Sequence, residues 1–478
     1  METNKIIVLA GCILLASAFG VAGQESAEKE YDSRIQAMEE TLNRVLVELE
    51  SLKKDREAWK KQAEAESDRS DSLEQNQQAL MEELEEMRES GTTVETQPQS
   101  SRGPIPGNMQ SVSGAPRVGS IRTGGLPPGL QLGGYGEHHF NLKEGDGDGS
   151  DIHRFVTFVG YEFADWARLN SEVELEHAFV NDGDGEISIE QFFVDVDIID
   201  EFNIRVGRVL HPAGIINRFH EPTTFLGVER PSFSKNILPS TWSIDGVGFR
   251  GNLTDWLSYE AYVHAGLDGS KFSGSSGIRG GRIKERPGFN DVGFSGRVDF
   301  YPLVAFDVPS PVALKTGFSY SNIGTDNSDQ DKGTGRPDSN IQVFSYDMDL
   351  RWKRLDLRGE IAFIDNPAAE DPGVGAGTSD EIFGTYFQAG YHFMPDAWKT
   401  GKLEQSDAVG FVRYEYYDTQ FGDVTFGTKD RSKSRRDLVF GLAFHPMPRL
   451  VFKADLILSD TLDGNAPNRY DFGFGYSF

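Results

Sequence analysis

From about residue 130 to the C-terminus, hydrophobic and polar residues alternate with a period of two, in short segments separated by polar turns. The segment FSYDMDLRW, residues 344–352, places aromatic and aliphatic side chains at even positions and charged ones, such as Asp347 and Asp349, at odd positions. Residues two apart share a face of an extended strand. DLVFGLAF, residues 437–444, repeats the pattern with small residues opposite the apolar ones. These segments predict strands with one apolar face.

The segment SEVELEHAF, residues 171–179, follows the same pattern. Its alternation predicts Val173, Leu175 and His177 on the apolar face, with three glutamates opposite. A soluble β-sandwich also alternates, so a single strand decides little. Here nearly every segment alternates, and charged residues crowd the polar face, which favours a barrel with lipid outside and a wet lumen inside.

The lengths of the connections give a second test. We count sixteen candidate strands, the first near Gln131, and their connections alternate between long polar stretches such as DGSKFSGSSGIRGGRIKERPG and short ones such as KRL. Long loops on one side and short turns on the other are typical of outer-membrane barrels. Residues 129–478 are therefore predicted to form an all-β transmembrane barrel of about 16 antiparallel strands. An even number of strands leaves both ends of the barrel in the periplasm.

The segment before the barrel has a different period. Residues 35–87 hold a heptad repeat in which twelve of the sixteen a and d positions are apolar, which predicts an α-helical coiled coil over residues 30–90, in the periplasm. Residues 91–128 are rich in Pro, Gly, Ser and Gln and predict a flexible linker. Residues 1–23, with Lys5 before an apolar run, predict a signal peptide. That run contains LAGC, which ends at Cys12 and resembles a lipoprotein processing box, so lipidation stays an alternative to ordinary cleavage.

Composition excludes several functions. The chain carries 75 Asp and Glu against 47 Lys and Arg, a formal net charge of −28, which argues against nucleic-acid binding. No G-x-S-x-G motif occurs, and the nine histidines stand singly or as the pair His138 and His139, so we predict no enzyme. The stretches DGDGSD (146–151) and NDGDGE (181–186) resemble calcium ligands but lack a full binding loop, and we interpret them as turns. No metal site and no cofactor are predicted.

Residues 205–251, which contain PAG, ERP, LPSTW and GVGF, resemble the phosphate-selective porin O and P family. The resemblance covers roughly residues 130–478. It implies a sixteen-stranded barrel, usually trimeric, whose third loop folds inward and narrows the pore. The C-terminal YDFGFGYSF has aromatic residues two apart and is similar to the signal that barrel-assembly machinery recognises. The residues of that assembly signal are Phe472, Phe474, Tyr476 and Phe478.

The resemblance and the alternation together nominate two sets of pore residues. The inward loop holds four basic or titratable candidates for the constriction, namely Arg218, His220, Arg230 and Lys235. The strands are predicted to point further charges into the lumen, namely Arg250, Arg351, Arg358, Arg413, Lys453, Asp347, Asp349, Glu172 and Glu174. Any one of the loop residues could instead form a salt bridge that ties the loop to the wall.

We therefore expect an outer-membrane porin, a water-filled and weakly selective channel for small hydrophilic solutes and ions. The mixed lumen does not favour phosphate, because a dedicated anion pore needs rings of Arg or Lys. Two alternatives stay open: an anion-selective or phosphate-selective porin, and a barrel-anchored tether between the outer membrane and peptidoglycan. The expected partners are outer-membrane lipid, two further copies in a homotrimer, barrel-assembly machinery and, through the coiled coil, peptidoglycan, with no nucleic acid.

Overall fold

The computed structural model describes residues 129–478 apart from 146, 178–184, 285, 307, 309–311, 328–336 and 465. The predicted signal peptide (1–23), coiled coil (30–90) and linker (91–128) lie outside these residues, as does Cys12.

The described part of the chain is built from β-strands. Their bounds are β1 Leu130–Lys143, β2 Gly149–Ala164, β3 Ala167–Glu176, β4 Glu186–Ile199, β5 Phe202–Leu210, β6 Ser243–Thr254, β7 Leu257–Ala265, β8 Val292–Phe300, β9 Val312–Gly324, β10 Asn340–Trp352, β11 Leu355–Asp365, β12 Glu381–His392, β13 Asp407–Asp418, β14 Ser434–Met447, β15 Leu450–Thr461 and β16 Arg469–Ser477.

Each strand pairs with its neighbours in sequence, and β1 pairs with β16 to close the barrel. The closing ladder is antiparallel and runs from Tyr135 opposite Ser477 to Lys143 opposite Arg469. The C-terminal residue extends it, because the amide of Phe478 donates to the carbonyl of Gly134 over 2.9 Å. The prediction of about 16 antiparallel strands beginning near Gln131 is confirmed.

The connections alternate in length as predicted, apart from two longer ones among the short set, residues 301–311 and 393–406. One end of the barrel is called the short-turn end below, because it has tight connections such as residues 165–166, 200–201 and 353–354. The opposite end is called the long-loop end, because it has connections such as residues 211–242 and 266–291. The helical segments between the described strands are short: α1 Phe233–Asn236, α2 Pro302–Ala305 and the 3₁₀ turns Gly269–Lys271, Arg279–Gly281, Pro367–Glu370, Asp396–Trp398, Gly401–Leu403 and Arg431–Lys433. None of the helices in the described ranges has the length and hydropathy to cross a membrane.

The two faces of the sheet differ in chemistry. On β10, Phe344 and Tyr346 are exposed on the outside, whereas the alternating residues Ser345 and Asp347 are buried on the inside. Other strands repeat this order, with exposed aromatic or aliphatic residues such as Phe192, Phe387, Phe440 and Leu442. An apolar outer surface combined with a charged inner surface is the arrangement that a barrel in lipid requires.

Apolar side chains also fill part of the interior. A cluster on the long-loop side joins residues of the 211–242 connection, including Phe233, Ile237 and Trp242, to wall residues such as Ile382 and Tyr386. Buried apolar contacts of this kind give the connection a fixed position inside the barrel, because each residue that leaves the cluster re-exposes apolar surface to water.

Deleting residues 24–128 is expected to leave a barrel that folds and inserts. The described strands satisfy each other's backbone hydrogen bonds all round the closed sheet, and closure is the condition for stability in lipid. Heat-dependent mobility of the barrel on gels and channel activity in bilayers would check this, with the full-length protein as control. A truncated chain that neither inserts nor conducts would show that the preceding residues are part of the fold.

Candidate functional site

The connection between β5 and β6, residues 211–242, lies inside the barrel and is called the inward loop below. Its backbone amides donate to carboxylates on widely separated strands: Ile215 to Glu360 of β11 over 2.9 Å, and Val228 to Asp455 of β15 over 2.7 Å. The amide of Phe233 donates to Glu415 of β13 over 3.1 Å. Because these strands lie across the barrel from β5 and β6, which the loop connects, the loop crosses the interior.

The loop enters the interior at Gly214, the glycine of the PAG motif. This residue has φ of +71°, and a Cβ atom there would lie 2.7 Å from a carboxylate oxygen of Glu360. Glycine is the residue that adopts this backbone conformation without strain. The tight turn lets the amides of both Ile215 and Ile216 point at Glu360. The ring of His211 stacks on Trp242 at 3.8 Å, which joins the two ends of the loop.

Arg218 anchors the loop to the wall formed by β7 and β8. Its guanidinium lies 3.0 Å from Glu260 and 3.0 Å from Asp299, with all three side chains buried. Burial opposes the charge, but Asp299 and Glu260 outweigh it and raise the pKa of Arg218 above its usual value. Removing one partner of such a buried pair leaves a charge uncompensated, so this anchor is costly to break.

His220 anchors the loop to a second part of the wall, formed by β3 and β4. Its Nε2 lies 3.4 Å from Glu172 and 3.3 Å from Glu190. A register shift between β3 and β4 at Glu172 places Glu190 on the inner face next to Gln191. Burial disfavours the imidazolium, but the neighbouring carboxylates of Glu172 and Glu190 raise the pKa of His220 well above its usual value.

The other two loop residues nominated from sequence lie elsewhere. Arg230 donates to the hydroxyl of Ser240 over 2.7 Å, within the loop itself, and Lys235 is exposed in α1. The four residues predicted for the constriction are therefore not brought together, since the loop crosses the whole lumen and presents each to a different neighbour.

The nine charges predicted from alternation lie on the inner face, where they contact the inward loop or charged and polar residues of the wall. Lys453 donates to the carbonyl of Gly227 over 2.8 Å, and Arg358 to that of Thr224 over 2.9 Å. The remaining residues pair with charged or polar neighbours on the wall or loop: Arg250, Arg351, Arg413, Asp347, Asp349, Glu172 and Glu174. Sequence reasoning missed four carboxylates. Glu190, Glu260 and Asp299 lie on the wall and contact the loop, and Glu229 lies in the loop and contacts His139 of the wall.

Two cavities lie between the loop and the wall. A cavity of about 800 Å³ lies at the short-turn end, where it is lined by residues such as Lys353, Arg449 and Phe478. A narrower cavity of about 60 Å³ shares Thr224, Asp349, Arg351 and Arg358 with it. The narrow cavity is lined by Ile215, Arg218, Phe219 and Thr224 of the loop and by Arg297, Lys315, Asp347, Asp349, Arg351 and Arg358 of the wall. Of the four loop residues nominated from sequence, Arg218 is the one that lines it.

The aromatic residues of the final strand face outward. Phe472, Phe474 and Phe478 are exposed, and Phe478 packs on the ring of Tyr476 at 6.2 Å. Asp471, between Tyr470 and Phe472, is fully buried on the inner face. Recognition of this strand by assembly machinery stays a prediction.

A group of histidines and carboxylates lies at the long-loop end. His153 stacks on His139 with ring centroids 4.5 Å apart and meets His177 at 5.2 Å. Both His153 and His177 contact Asp151. The sequence-based assignment of His177 to the apolar face is wrong, because β3 ends at Glu176 and the backbone turns there. No signal in the sequence pairs these histidines, which lie on three different strands or strand ends.

Several solved barrels are similar in shape. OmpF of Salmonella typhi in complex with daunomycin gives a TM-score of 0.48 at 12% identity, over 73% of this chain and 97% of that chain. The outer-membrane channel DcaP of Acinetobacter baumannii gives 0.47 at 12% identity, over 73% and 97%. An anion-selective porin from Comamonas acidovorans gives 0.46 at 11% identity, over 73% and 99%.

No protein-family model matches the chain, so the resemblance to the phosphate-selective porin O and P family is not confirmed. In sequence, the chain is 31% identical to an uncharacterised protein of Aquifex aeolicus (strain VF5) over 356 residues. The match covers 70% of this chain and 77% of that protein. The chain therefore belongs to the same family as this uncharacterised Aquifex aeolicus protein.

Proposed function

We propose that the protein is an outer-membrane porin that lets small hydrophilic solutes and ions diffuse through a water-filled lumen. The observation that carries this proposal is the closed barrel with an apolar outside, a charged inside and a cavity of about 800 Å³ leading to a narrow one. The proposal places the long-loop end at the cell exterior and the short-turn end at the periplasm, where residues 30–90 would form a coiled coil. Homotrimer formation is part of the proposal: the heptads before the barrel support association of several chains, and the family resemblance implies three.

The narrow cavity sets the selectivity in this proposal, because charges act most strongly where the pore is tight and poorly screened. Arg297 contacts Asp299 at 2.7 Å and Asp347 at 2.6 Å. Arg358 contacts Asp349 at 2.8 Å. These pairs nearly cancel the field of the arginines, which supports weak rather than strong selectivity.

One observation favours a second candidate, anion preference. Four arginines and a lysine line the narrow cavity, against two aspartates. Arg351 is the cation least neutralised by a carboxylate, since its Nε lies 3.9 Å from Asp356, beyond hydrogen-bond distance. A passing anion would therefore meet Arg351 more readily than the fully paired arginines.

Reversal potentials across a KCl gradient in planar bilayers test both candidates. We expect a weak anion preference that Arg351→Ala reduces. A unit charge roughly 8 Å from an ion in water contributes about 0.5 kcal/mol, favourable to chloride and unfavourable to potassium, so its removal should change the chloride-to-potassium permeability ratio roughly fivefold.

The matched control is Arg354→Ala. Arg354 bonds Asp396 and backbone carbonyls beside a short turn, so its loss should leave the ratio unchanged. A barrel that does not conduct would contradict the porin proposal. A strong phosphate preference lost in Arg351→Ala would contradict weak selectivity.

A further inference from the structure

The long-loop end of the barrel carries a group of metal-ligating side chains formed by Asp151, His153 and His177. One ligand atom from each of the three lies within 4.8 Å of the other two. The Oδ2 atom of Asp151 lies 2.7 Å from Nδ1 of His177 and 3.3 Å from Nδ1 of His153. Tetrahedral Zn²⁺ bonds of about 2.0–2.1 Å place ligand atoms roughly 3.3 Å apart. Only small side-chain movements therefore separate this arrangement from a coordination shell.

Two backbone irregularities bring these side chains together. The register between β1 and β2 shifts from Glu137 opposite Arg154 to His139 opposite Asp151, which leaves one extra residue in β2. Arg154 and Asp151 thus both face inward, Ile152 faces out, and His153 stacks against the inward His139. A β-bulge that re-aims a side chain in this way is often found beside a functional site.

The second irregularity is at His177, which has φ of +48° directly after β3. Non-glycine residues rarely adopt this conformation, and it costs free energy that the surroundings must offset. The amide of His177 donates to the carbonyl of His153 over 3.1 Å, so the backbone holds the two histidines in register. Both departures from regular strand geometry thus converge on the same three side chains.

We propose that Asp151, His153 and His177 bind a divalent transition-metal ion of the Zn²⁺ class at the long-loop mouth of the barrel. Two imidazole nitrogens and a carboxylate oxygen suit zinc and its neighbours and leave a fourth position open. The three side chains are between about a quarter and a half exposed, so an ion can enter from solvent. The adjacent group of His139, His153 and Glu229 is a poorer site, because both ring nitrogens of His139 already contact carboxylates, Glu137 at 3.3 Å and Glu229 at 3.2 Å.

Titration calorimetry with ZnCl₂ on the full-length protein in detergent tests the site. We expect one saturable ion per chain, with affinity at least about tenfold weaker in His153→Gln and in His177→Gln, since loss of even an outer-shell partner costs that much. The matched control is His392→Gln, because His392 also contacts two carboxylates, Asp356 and Asp407. It should bind Zn²⁺ as the unmodified protein does.

Two further measurements sharpen the outcome. Co²⁺ bound to the unmodified protein should show visible absorption that His177→Gln removes, and heat-dependent gel mobility should show that each variant is folded. His139→Gln should retain binding. Absence of saturable Zn²⁺ binding, or unchanged affinity in His177→Gln, would overturn the proposal. Loss of binding in His139→Gln with retention in His177→Gln would also overturn it, by placing the ion in the adjacent group.

Discussion

Replacing Arg218 by methionine is expected to release the inward loop from the β7–β8 wall and to raise single-channel conductance. The substitution leaves Glu260 without its arginine, while Asp299 keeps Arg297 at 2.7 Å. Breaking a buried ion pair costs about 3–5 kcal/mol, and the retained partner puts this case near the lower end. The barrel should stay closed, because its strand pairing does not involve this side chain. Conductance in planar bilayers and protease cleavage within residues 211–242 would measure the release.

Two variants serve as controls for this result. Arg230→Met removes a guanidinium from the same loop, but one that bonds Ser240 within the loop, so conductance should change little. In the double variant Arg218→Met with Glu260→Gln, the unpaired carboxylate is neutralised, and part of the anchoring should return. Equal conductance in Arg218→Met and the unmodified protein would mean that the loop does not limit the pore.

Deleting Phe478 is expected to cut the amount of assembled barrel sharply, with normal conductance in the molecules that assemble. Phe478 exchanges backbone hydrogen bonds with Gly134, 2.9 and 3.2 Å long, at the point where the barrel closes. Its ring is 37% exposed and packs on that of Tyr476, with no ion pair or side-chain hydrogen bond to make. Quantifying the heat-resistant folded form in outer-membrane fractions, together with single-channel recordings, separates assembly from conduction.

Phe444→Lys is the matched control that separates the effect of the terminal position from the effect of a charge on the outer face. Phe444 is also outward-facing, with the same exposed fraction of 37% as Phe478, but it lies in β14. A charge on the lipid face near an interface costs only about 0–1 kcal/mol, so Phe444→Lys should assemble better than Phe478→Lys. Equal assembly of these two variants would show that the terminal position has no special role. A normal amount of assembled barrel after deletion of Phe478 would remove the basis for the terminal-strand prediction.

Regular alternation made the strands predictable from sequence. In β10, Asp347 and Asp349 fall on the inner face as their spacing predicts, because side chains on an extended strand must point to opposite faces in turn. The same rule fails at His177, where the strand has ended, and gives no reason to expect Ile152 and Arg154 on opposite faces. A β-bulge or a residue with positive φ shifts the alternation of side chains by one residue. Where such an irregularity falls depends on the pairing with the neighbouring strand, which the alternation does not show.

The inward loop was implied by the family resemblance. The sequence by itself determined the strand number, the apolar outer face and the charged inner face. Each depends on local periodicity and turn chemistry, which short segments carry alone. Only the tertiary structure decided that Arg218 meets Glu260 and Asp299, that His220 meets Glu172 and Glu190, and that three histidines gather at one mouth. These contacts join residues far apart in the chain, and their partners are chosen by closure of the barrel and by the path of the loop across it.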